Sequence, residues 1–415
     1  MSTNYDCIIL GGGPAGSAAG ALLAQGGMSV CIIEKETFPR FHIGESLLPA
    51  GNETLRRMGV WESIEQTDFI TKQGAEFTYG SGDNCVHIAF RDGLIDGLDS
   101  TRQVRRAEFD QILLEKARGS GCDLCQPARV TAAEQTDQGW NIKLSQGSET
   151  EQLNATWFLD AGGRGRFLGS RLKLLTTDVP LPKRFAVFSR FRGVKRREGD
   201  RAGNIIVIRI LDGWFWSIPV SESETSVGLV CTRKYLNGGN QEEIFYEAVS
   251  SNPFMKNWMA DAKSVEPFRT ESDYSYIHER FAGERWFLLG DAAGFIDPVF
   301  SSGVYLALKS AEAAADSILA ARDRGVLSKA EQTAFTQNAR ASMKTMEQLV
   351  CSFYHPKDFS VFMHPRNVFS VVSAINSIVA GRSDLNFQLW WRFLFFRTLC
   401  RINRLVPLAP RLQLD

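Results

Sequence analysis

The sequence predicts an α/β fold built on a parallel sheet, and the order of elements near its N-terminus carries this prediction. Residues 6–10 form a short apolar run, which is typical of a buried parallel strand. A glycine-rich turn and a helical segment at residues 17–25 follow, and residues 29–33 form a second apolar run. Strand, turn, helix and strand in this order make a βαβ unit.

The turn at residues 11–16 is Gly-Gly-Gly-Pro-Ala-Gly and contains the pattern GxGxxG. In this pattern the first glycine allows a tight turn, the second lets a pyrophosphate approach the backbone, and the third lets the helix pack on the strand. The N–H groups at the start of the helix then face the phosphates. The predicted dinucleotide-binding residues of this turn are Gly11, Gly13, Pro14, Ala15 and Gly16.

An acidic residue, Glu34, directly follows the second apolar segment. A carboxylate at this place accepts hydrogen bonds from ribose hydroxyls and disfavours the additional phosphate of NADP. We expect Glu34 and its neighbour Lys35 to contact the cofactor. This segment alone leaves FAD and NAD as alternatives.

The composition is that of an ordinary globular protein. The 415 residues are 44% hydrophobic and 23% charged, enough for about two or three domains. The 47 basic and 47 acidic residues balance, so no overall charge attracts nucleic acid or an anionic membrane. With no apolar run of membrane-spanning length and no signal-like N-terminus, we expect a cytoplasmic protein with reduced cysteines and no metal. The CxxC pair Cys122 and Cys125 is interpreted as part of a strand.

Four later segments complete the pattern of a flavin enzyme. They are residues 44–49 (GESLLP), 104–110 (VRRAEFD), 158–164 (FLDAGGR) and 287–293 (FLLGDAA). They resemble segments of the glutathione-reductase-like FAD enzymes, in the branch that contains aromatic hydroxylases, geranylgeranyl reductases and halogenases. The resemblance implies that FAD is the cofactor. The residues that it adds to the cofactor site are Glu45, Ser46, Arg106, Asp160 and Asp291.

The last of these segments also supports a ligand site on physical grounds. An apolar strand ends in Gly-Asp ahead of a helix, which presents a carboxylate and a helix N-terminus to a polar ligand. The alternative for Asp291 is a simple helix cap. A second GxGxxG, which a nicotinamide cofactor would need, is absent from the sequence. We therefore predict that a separate NAD(P)H:flavin reductase supplies reduced FAD.

Residues 212–219 contain the pattern WxWxIP, formed by Trp214, Trp216, Ile218 and Pro219. Residues two apart on a strand share a face, so the two indoles form one apolar wall. The pattern resembles that of flavin-dependent halogenases, in which such a wall is thought to keep the substrate away from the flavin. The alternative is an aromatic pair that packs a sheet core.

Residues 295–303 fit the halogenase pattern FxxPxxSxG. A helix is predicted directly after it, which leaves the N–H groups of Ser302 and Gly303 free to bind an anion. The resemblance implies that this anion is chloride or bromide and that Pro298 and Gly303 also contact the flavin. The alternative is an ordinary helix start beside the flavin, and one turn can serve both purposes.

Lys72 lies between an apolar residue, Ile70, and an alternating strand-like segment at residues 75–79. An isolated lysine is normally a solvated surface charge. Its position, however, matches that of the lysine on which halogenases depend to hold hypohalous acid toward the substrate. A buried lysine with a lowered pKa suits this role.

Phe300 marks a departure from the tryptophan halogenases, which have a glutamate at this position. The phenol and pyrrole halogenases have an apolar residue there, so the resemblance implies a small, electron-rich aromatic substrate. We predict a phenol, with a carrier-protein-bound ring as the alternative. Asp297 is interpreted as a flavin-side residue, although it is the point of covalent FAD attachment in one branch of the family.

The predicted architecture is a glutathione-reductase-like, Rossmann-type FAD-binding domain with an inserted antiparallel sheet and a helical C-terminal cap. The FAD-binding domain comprises residues 1–72, 102–180 and 271–330, the inserted substrate sheet 73–101 and 181–270, and the cap 331–415. Residues 386–405 are apolar, aromatic and arginine-rich. We interpret them as a helix packed over the substrate cavity, with a membrane-surface helix and a carrier-protein dock as alternatives.

Three other functions share part of this pattern. An aromatic hydroxylase would have the same fold and would act without halide. A prenyl reductase would need reduced flavin but neither O2 nor halide. A flavin-binding module without activity would bind FAD and show no turnover.

Overall fold

The computed structural model describes residues 3–232, 240–272 and 275–412, so residues 233–239 of the predicted insert and 273–274 of the predicted FAD-binding domain lie outside the described residues. The strands are β1 Thr3–Leu10, β2 Val30–Ile33, β3 Ile70–Lys72, β4 Gly74–Tyr79, β5 Cys85–Ala89, β6 Thr101–Gln103, β7 Asp123–Cys125, β8 Arg129–Gln135, β9 Trp140–Gln146, β10 Glu149–Asp160, β11 Thr176–Asp178, β12 Arg184–Arg192, β13 Ile205–Ile210, β14 Gly213–Pro219, β15 Thr225–Thr232, β16 Lys263–Ser264, β17 Arg269–Ser272, β18 Tyr276–His278, β19 Ala282–Gly283, β20 Trp286–Leu288 and β21 Gly294–Phe295. The helices are α1 Pro14–Gln25, α2 Gly51–Arg57, α3 Trp61–Glu65, α4 Arg106–Gly119, α5 Phe167–Arg171, α6 Gln241–Ser251, α7 Pro253–Trp258, α8 Ser302–Ala320, α9 Lys329–Tyr354, α10 Pro356–Met363, α11 Val371–Val379 and α12 Phe387–Leu405.

The first sheet is the one that the N-terminal pattern predicts. Its strands follow the order β19-β20-β10-β1-β2-β7, and the five strands from β20 to β7 are mutually parallel. Helix α1 packs against α4 and α8 beside this sheet. Two glycines allow the tight strand-to-helix turn: Gly11 has a φ of +101°, and a Cβ on Gly16 would lie 1.8 Å from the Gly11 carbonyl oxygen.

The second sheet follows the order β16-β12-β15-β14-β13-β4-β5, with β17 paired to β12. Its pairs are antiparallel except β4 with β13, which is parallel. The antiparallel prediction is wrong for this pair because β4 and β13 come from distant segments, and no hairpin between them requires opposite directions. Strand β17 of this sheet crosses the predicted boundary at residue 270, and the domain boundaries given above stay a proposal.

The second sheet buries both of its faces. Trp214 and Trp216 on β14 belong to the main hydrophobic core, whereas Phe215 between them packs in a separate core with residues of α6 and α7. The alternation along β14 therefore directs both indoles to the side of the FAD-binding domain.

Helices α9 to α12 form the C-terminal cap. Helix α10 packs on α9 and α12, and α11 packs on α12 and on the short 3-10 helix Phe90–Asp92. Ser328 and Glu331 form a capping box at the start of α9, which ends at Tyr354. Across the described ranges, no helix combines the length and the apolarity that a membrane crossing requires.

Candidate active site

The first part of the site is the turn between β1 and α1. The Glu34 carboxylate is 3% exposed, and its Oε2 accepts a hydrogen bond from Gly12 N at 2.7 Å. A Cβ built on Gly13 would meet only the Arg40 guanidinium, at 3.5 Å, so the backbone there is open to a large ligand. The start of α1, the fixed carboxylate and the open backbone fit the ADP part of FAD. Arg40 beside this turn was not predicted, because no motif surrounds it.

The second part lies where β10 and β20 end. Burial raises the pKa of Asp291 to about 6, as it does that of the fully buried Asp160. Asp160 accepts hydrogen bonds from two backbone N–H groups of the following segment, at 2.9 and 2.7 Å, and so shapes the turn. Arg106 donates to both oxygens of Asp110, at 2.8 and 2.9 Å, and to the carbonyl of Ile43. We propose that Asp291 contacts the flavin and that Arg106 and Asp160 hold the surrounding loops.

Three other predicted cofactor residues have contacts of their own. Glu45 is 2% exposed, and its Oε1 accepts a hydrogen bond from Arg190 at 2.8 Å. The Ser46 hydroxyl accepts a hydrogen bond from Lys72, which joins a predicted flavin segment to the predicted catalytic lysine. The Lys35 side chain is 54% exposed and pairs with a neighbouring glutamate.

Lys72 carries a buried amine. It ends β3 with 1% of its surface exposed, and its Nζ donates to Ser46 Oγ at 2.9 Å and to the Leu47 carbonyl at 2.8 Å. The Phe90 ring lies 5.3 Å away. Burial lowers the lysine pKa to about 7, so the neutral amine is well populated near neutral pH.

The two indoles of β14 form a continuous surface, with Trp214 and Trp216 ring centroids 5.8 Å apart. Both are almost fully buried, as are Ile218 and Pro219 further along the strand. Gly228 on the neighbouring strand makes room for Trp216, because a Cβ there would lie 2.2 Å from its ring. Trp216 is therefore packed closely against β15.

The turn before α8 presents the first backbone N–H groups of that helix. A 3-10 helix, Pro298–Phe300, is followed by Ser301 in the left-handed conformation with a φ of +58°. Non-glycine residues in this conformation are strained and concentrate at functional sites. Helix α8 has no side-chain cap among the described residues, and a Cβ built on Gly303 meets no atom within 4 Å. The Ser302 and Gly303 amides are thus available to an anion.

Phe300 lies in an aromatic cluster. Its ring centroid is 5.5 Å from that of Phe77, 6.0 Å from that of Phe353 and 6.4 Å from that of Phe362. All four rings are buried. The position that carries a glutamate in tryptophan halogenases is thus surrounded by hydrocarbon, which disfavours a charged group there.

Helix α12 buries one face and exposes the other. Leu389 and Phe393 are buried, whereas Phe387 is 76% and Trp390 50% exposed. With α8 and α9 the helix borders a cavity of about 1200 Å³. The predicted site residues are not part of its lining.

The cysteines give no sign of a metal site. Within the described ranges, no group of three or more His, Cys, Asp or Glu side chains could hold an ion, and the cysteines are free thiols. Cys125 Sγ lies 3.7 Å from Cys31 Sγ on the adjacent strand. The CxxC spacing therefore reflects a strand, β7, that begins one residue after Cys122.

Comparison with known proteins agrees with this geometry. The model of the FAD binding domain family matches residues 4–349. The chain is 34% identical, over 85% of its length and 84% of the relative's, to a 1H-pyrrole-2-carbonyl-[peptidyl-carrier protein] chlorinase of Pseudomonas fluorescens. It is 30% identical, over 77% of its length and 78% of the relative's, to the corresponding brominase of Pseudoalteromonas luteoviolacea.

A solved structure is similar over almost the whole chain. The flavin-dependent brominase Bmp2 superposes with a TM-score of 0.86 and 27% identity, covering 97% of this chain and 99% of that one. The flavin fingerprints, the indole wall and the buried lysine thus occur together in a fold shared with halogenating enzymes. The chain belongs to the FAD binding domain family and is an FAD-dependent halogenase.

Proposed function

We propose that Lys72 receives the halogen and directs it to the substrate. The observation that carries this proposal is the burial of its amine, which is held by two hydrogen bonds and has a pKa near 7. A neutral amine can bind or accept the halogen of hypohalous acid, and a buried one is protected from water.

The other residues prepare this step. Ser302 and Gly303 hold the halide with their backbone amides. Trp214 and Trp216 separate the organic substrate from the cofactor. When bound, reduced FAD together with O2 supplies the oxidising power that turns halide into hypohalous acid.

The final step is an electrophilic aromatic substitution. A ring carbon forms a bond to the halogen and loses its hydrogen as a proton. If Lys72 holds hypohalous acid by a hydrogen bond, the oxygen leaves as water in this step. If the amine has accepted the halogen, water left when the nitrogen–halogen bond formed, and in this step that bond breaks and the amine regains a proton. Because the Phe300 cluster offers no carboxylate as base, the ring must be electron-rich. Phenols and pyrroles both meet this requirement.

The substrate that we favour is a pyrrole bound through a thioester to a carrier protein. The similarity to the pyrrole-carbonyl carrier-protein chlorinase of Pseudomonas and brominase of Pseudoalteromonas supports this ring and its carrier. The free phenol, which the sequence alone favoured, is the second candidate. A separate reductase completes the system by supplying reduced FAD.

The test compares Lys72→Ala with the wild type and with Lys143→Ala, which removes an exposed lysine. Each protein receives a flavin reductase, NADH, bromide and either pyrrole-2-carboxyl carrier protein or a panel of free phenols, and product mass is measured. Lys72→Ala should bind FAD and consume O2 normally but form roughly a hundredfold less product. Normal product formation, or loss of FAD binding, would contradict the proposed role. If only the phenols were converted, a free phenol would be the substrate in place of the carrier-bound pyrrole.

A further inference from the structure

A chain of hydrogen bonds connects the indole wall to the turn before α8. Trp214 Nε1 donates to the Tyr354 hydroxyl at 2.7 Å, and that hydroxyl donates to Asp297 Oδ2 at 2.6 Å. The other oxygen of Asp297 accepts from Val299 N at 3.0 Å, inside the turn itself. Tyr354 is the last residue of α9, so the C-terminal cap supplies the middle member of this chain.

The surroundings fix Tyr354 in this position. The Arg184 guanidinium lies 3.6 Å from the centre of its ring, and Arg184 Nη1 is 3.9 Å from Asp297 Oδ2. Arg209 donates to the Tyr354 carbonyl at 2.7 Å. Burial and the nearby Asp297 carboxylate raise the pKa of Tyr354 well above its ordinary value, so the hydroxyl stays a proton donor.

The two ends of the chain have different tasks in the proposed function. Trp214 belongs to the wall between substrate and flavin. Asp297 precedes the 3-10 helix and the left-handed Ser301, which together set the direction of the Ser302 and Gly303 amides. A shift at either end alters the separation of substrate from flavin or the affinity for halide.

We propose that Tyr354 is a positioning residue that fixes the indole wall and the halide-binding turn relative to each other. This inference rests on the proposed roles of Trp214 and of the Ser302 and Gly303 amides. Tyr354 acts through the hydrogen bonds that its hydroxyl makes with Trp214 and Asp297.

The test is Tyr354→Phe, which removes the hydroxyl and keeps the ring over Arg184. The matched control is Tyr305→Phe. Tyr305 lies on α8 and is buried, and its hydroxyl is hydrogen-bonded to Ser383 Oγ at 3.1 Å. Both variants are prepared as FAD-loaded full-length protein, and their FAD content verifies folding.

The first readout is independent of catalysis. In protein with ¹⁵N-labelled tryptophan, Trp214→Phe identifies the indole N–H resonance of Trp214 by its disappearance. Because a hydrogen-bonded N–H resonates downfield, Tyr354→Phe should shift this resonance upfield and Tyr305→Phe should not. An unchanged resonance in Tyr354→Phe would overturn the inference.

The second readout is bromide affinity, followed by the absorbance of bound FAD without turnover. Loss of the hydroxyl should raise the bromide dissociation constant about fivefold, as expected for one lost hydrogen bond, and should raise the bromide KM in parallel. Equal bromide affinity in Tyr354→Phe and wild type would refute the link to the turn. Absence of product from the wild type, with the resonance and affinity changes present, would reject the proposed function and leave the positioning role supported.

Discussion

Replacement of Lys72 by methionine tests whether folding lowers the pKa of this lysine. Methionine keeps the length and apolar stem of the side chain and removes the ionisable amine. It also leaves Ser46 Oγ and the Leu47 carbonyl without their donor, which lowers stability by an amount that does not depend on pH. The pH dependence of stability therefore isolates the ionisation of the amine.

The magnitude follows from the pKa, which burial lowers from 10.5 to about 7. Between these values the unfolded chain holds a proton on Lys72 that the folded chain has released, so the free energy of unfolding rises with pH. At pH 7 about half of the folded molecules carry the proton, and at pH 9 almost none do. This lysine should therefore add about 2 kcal/mol to the free energy of unfolding between pH 7 and pH 9.

The assay is equilibrium urea unfolding of wild type and Lys72→Met at both pH values with saturating FAD. The wild type should gain about 2 kcal/mol more than the variant on going from pH 7 to pH 9. The comparison cancels every other group that titrates in this range. Parallel pH dependences would show that Lys72 has an ordinary pKa, and the argument for a neutral amine at neutral pH would fail.

Four further outcomes are expected. Glu34→Ala should weaken FAD binding roughly tenfold in a flavin fluorescence titration, because it removes a charged acceptor beside the Gly12 amide, and unchanged affinity would contradict this. Without a reductase, the FAD-loaded protein should oxidise negligible NADH, whereas rapid, saturable oxidation would exclude a separate electron supply. Gly303→Ala should be as stable as wild type but need more bromide for half-maximal rate, because the added methyl fits yet crowds the halide. Gly228→Ala should lose about 2 kcal/mol in urea unfolding, since its Cβ overlaps Trp216, and equal stability of the two alanine variants would refute this packing.

Local sequence patterns predicted the elements that carry the site. The GxGxxG turn and the apolar runs around it give β1, α1 and β2 because the requirements are steric and confined to a few adjacent residues. Helix α12 matches its predicted segment closely, since Asn386 caps it with a hydrogen bond to Leu389 N. The alternation around Trp214 correctly placed both indoles on one face.

Contacts between distant segments could not be predicted in this way. Tyr354 ends a helix whose periodicity concerns only its own packing, and nothing local indicates that its hydroxyl reaches Asp297. Likewise, Arg190, which pairs with Glu45, lies on β12 of the second sheet, far from Glu45 in the sequence. Burial of Lys72 was expected from the resemblance of this segment to halogenases. A lysine with these sequence neighbours is equally compatible with a charge at the surface.

The parallel pairing of β4 with β13 has a consequence for how the chain folds. Ala75 pairs with Ile205, and in the other sheet Asp160 pairs with Leu288, so both sheets join segments that are far apart in the sequence. Such long-range pairing is slow because large loops must close first. During synthesis, the edges of β4 and β10 stay open until β13 and β20 have left the ribosome, and open edges promote aggregation. A fragment that ends before residue 272 lacks part of the second sheet, and one that ends before residue 288 lacks part of the first.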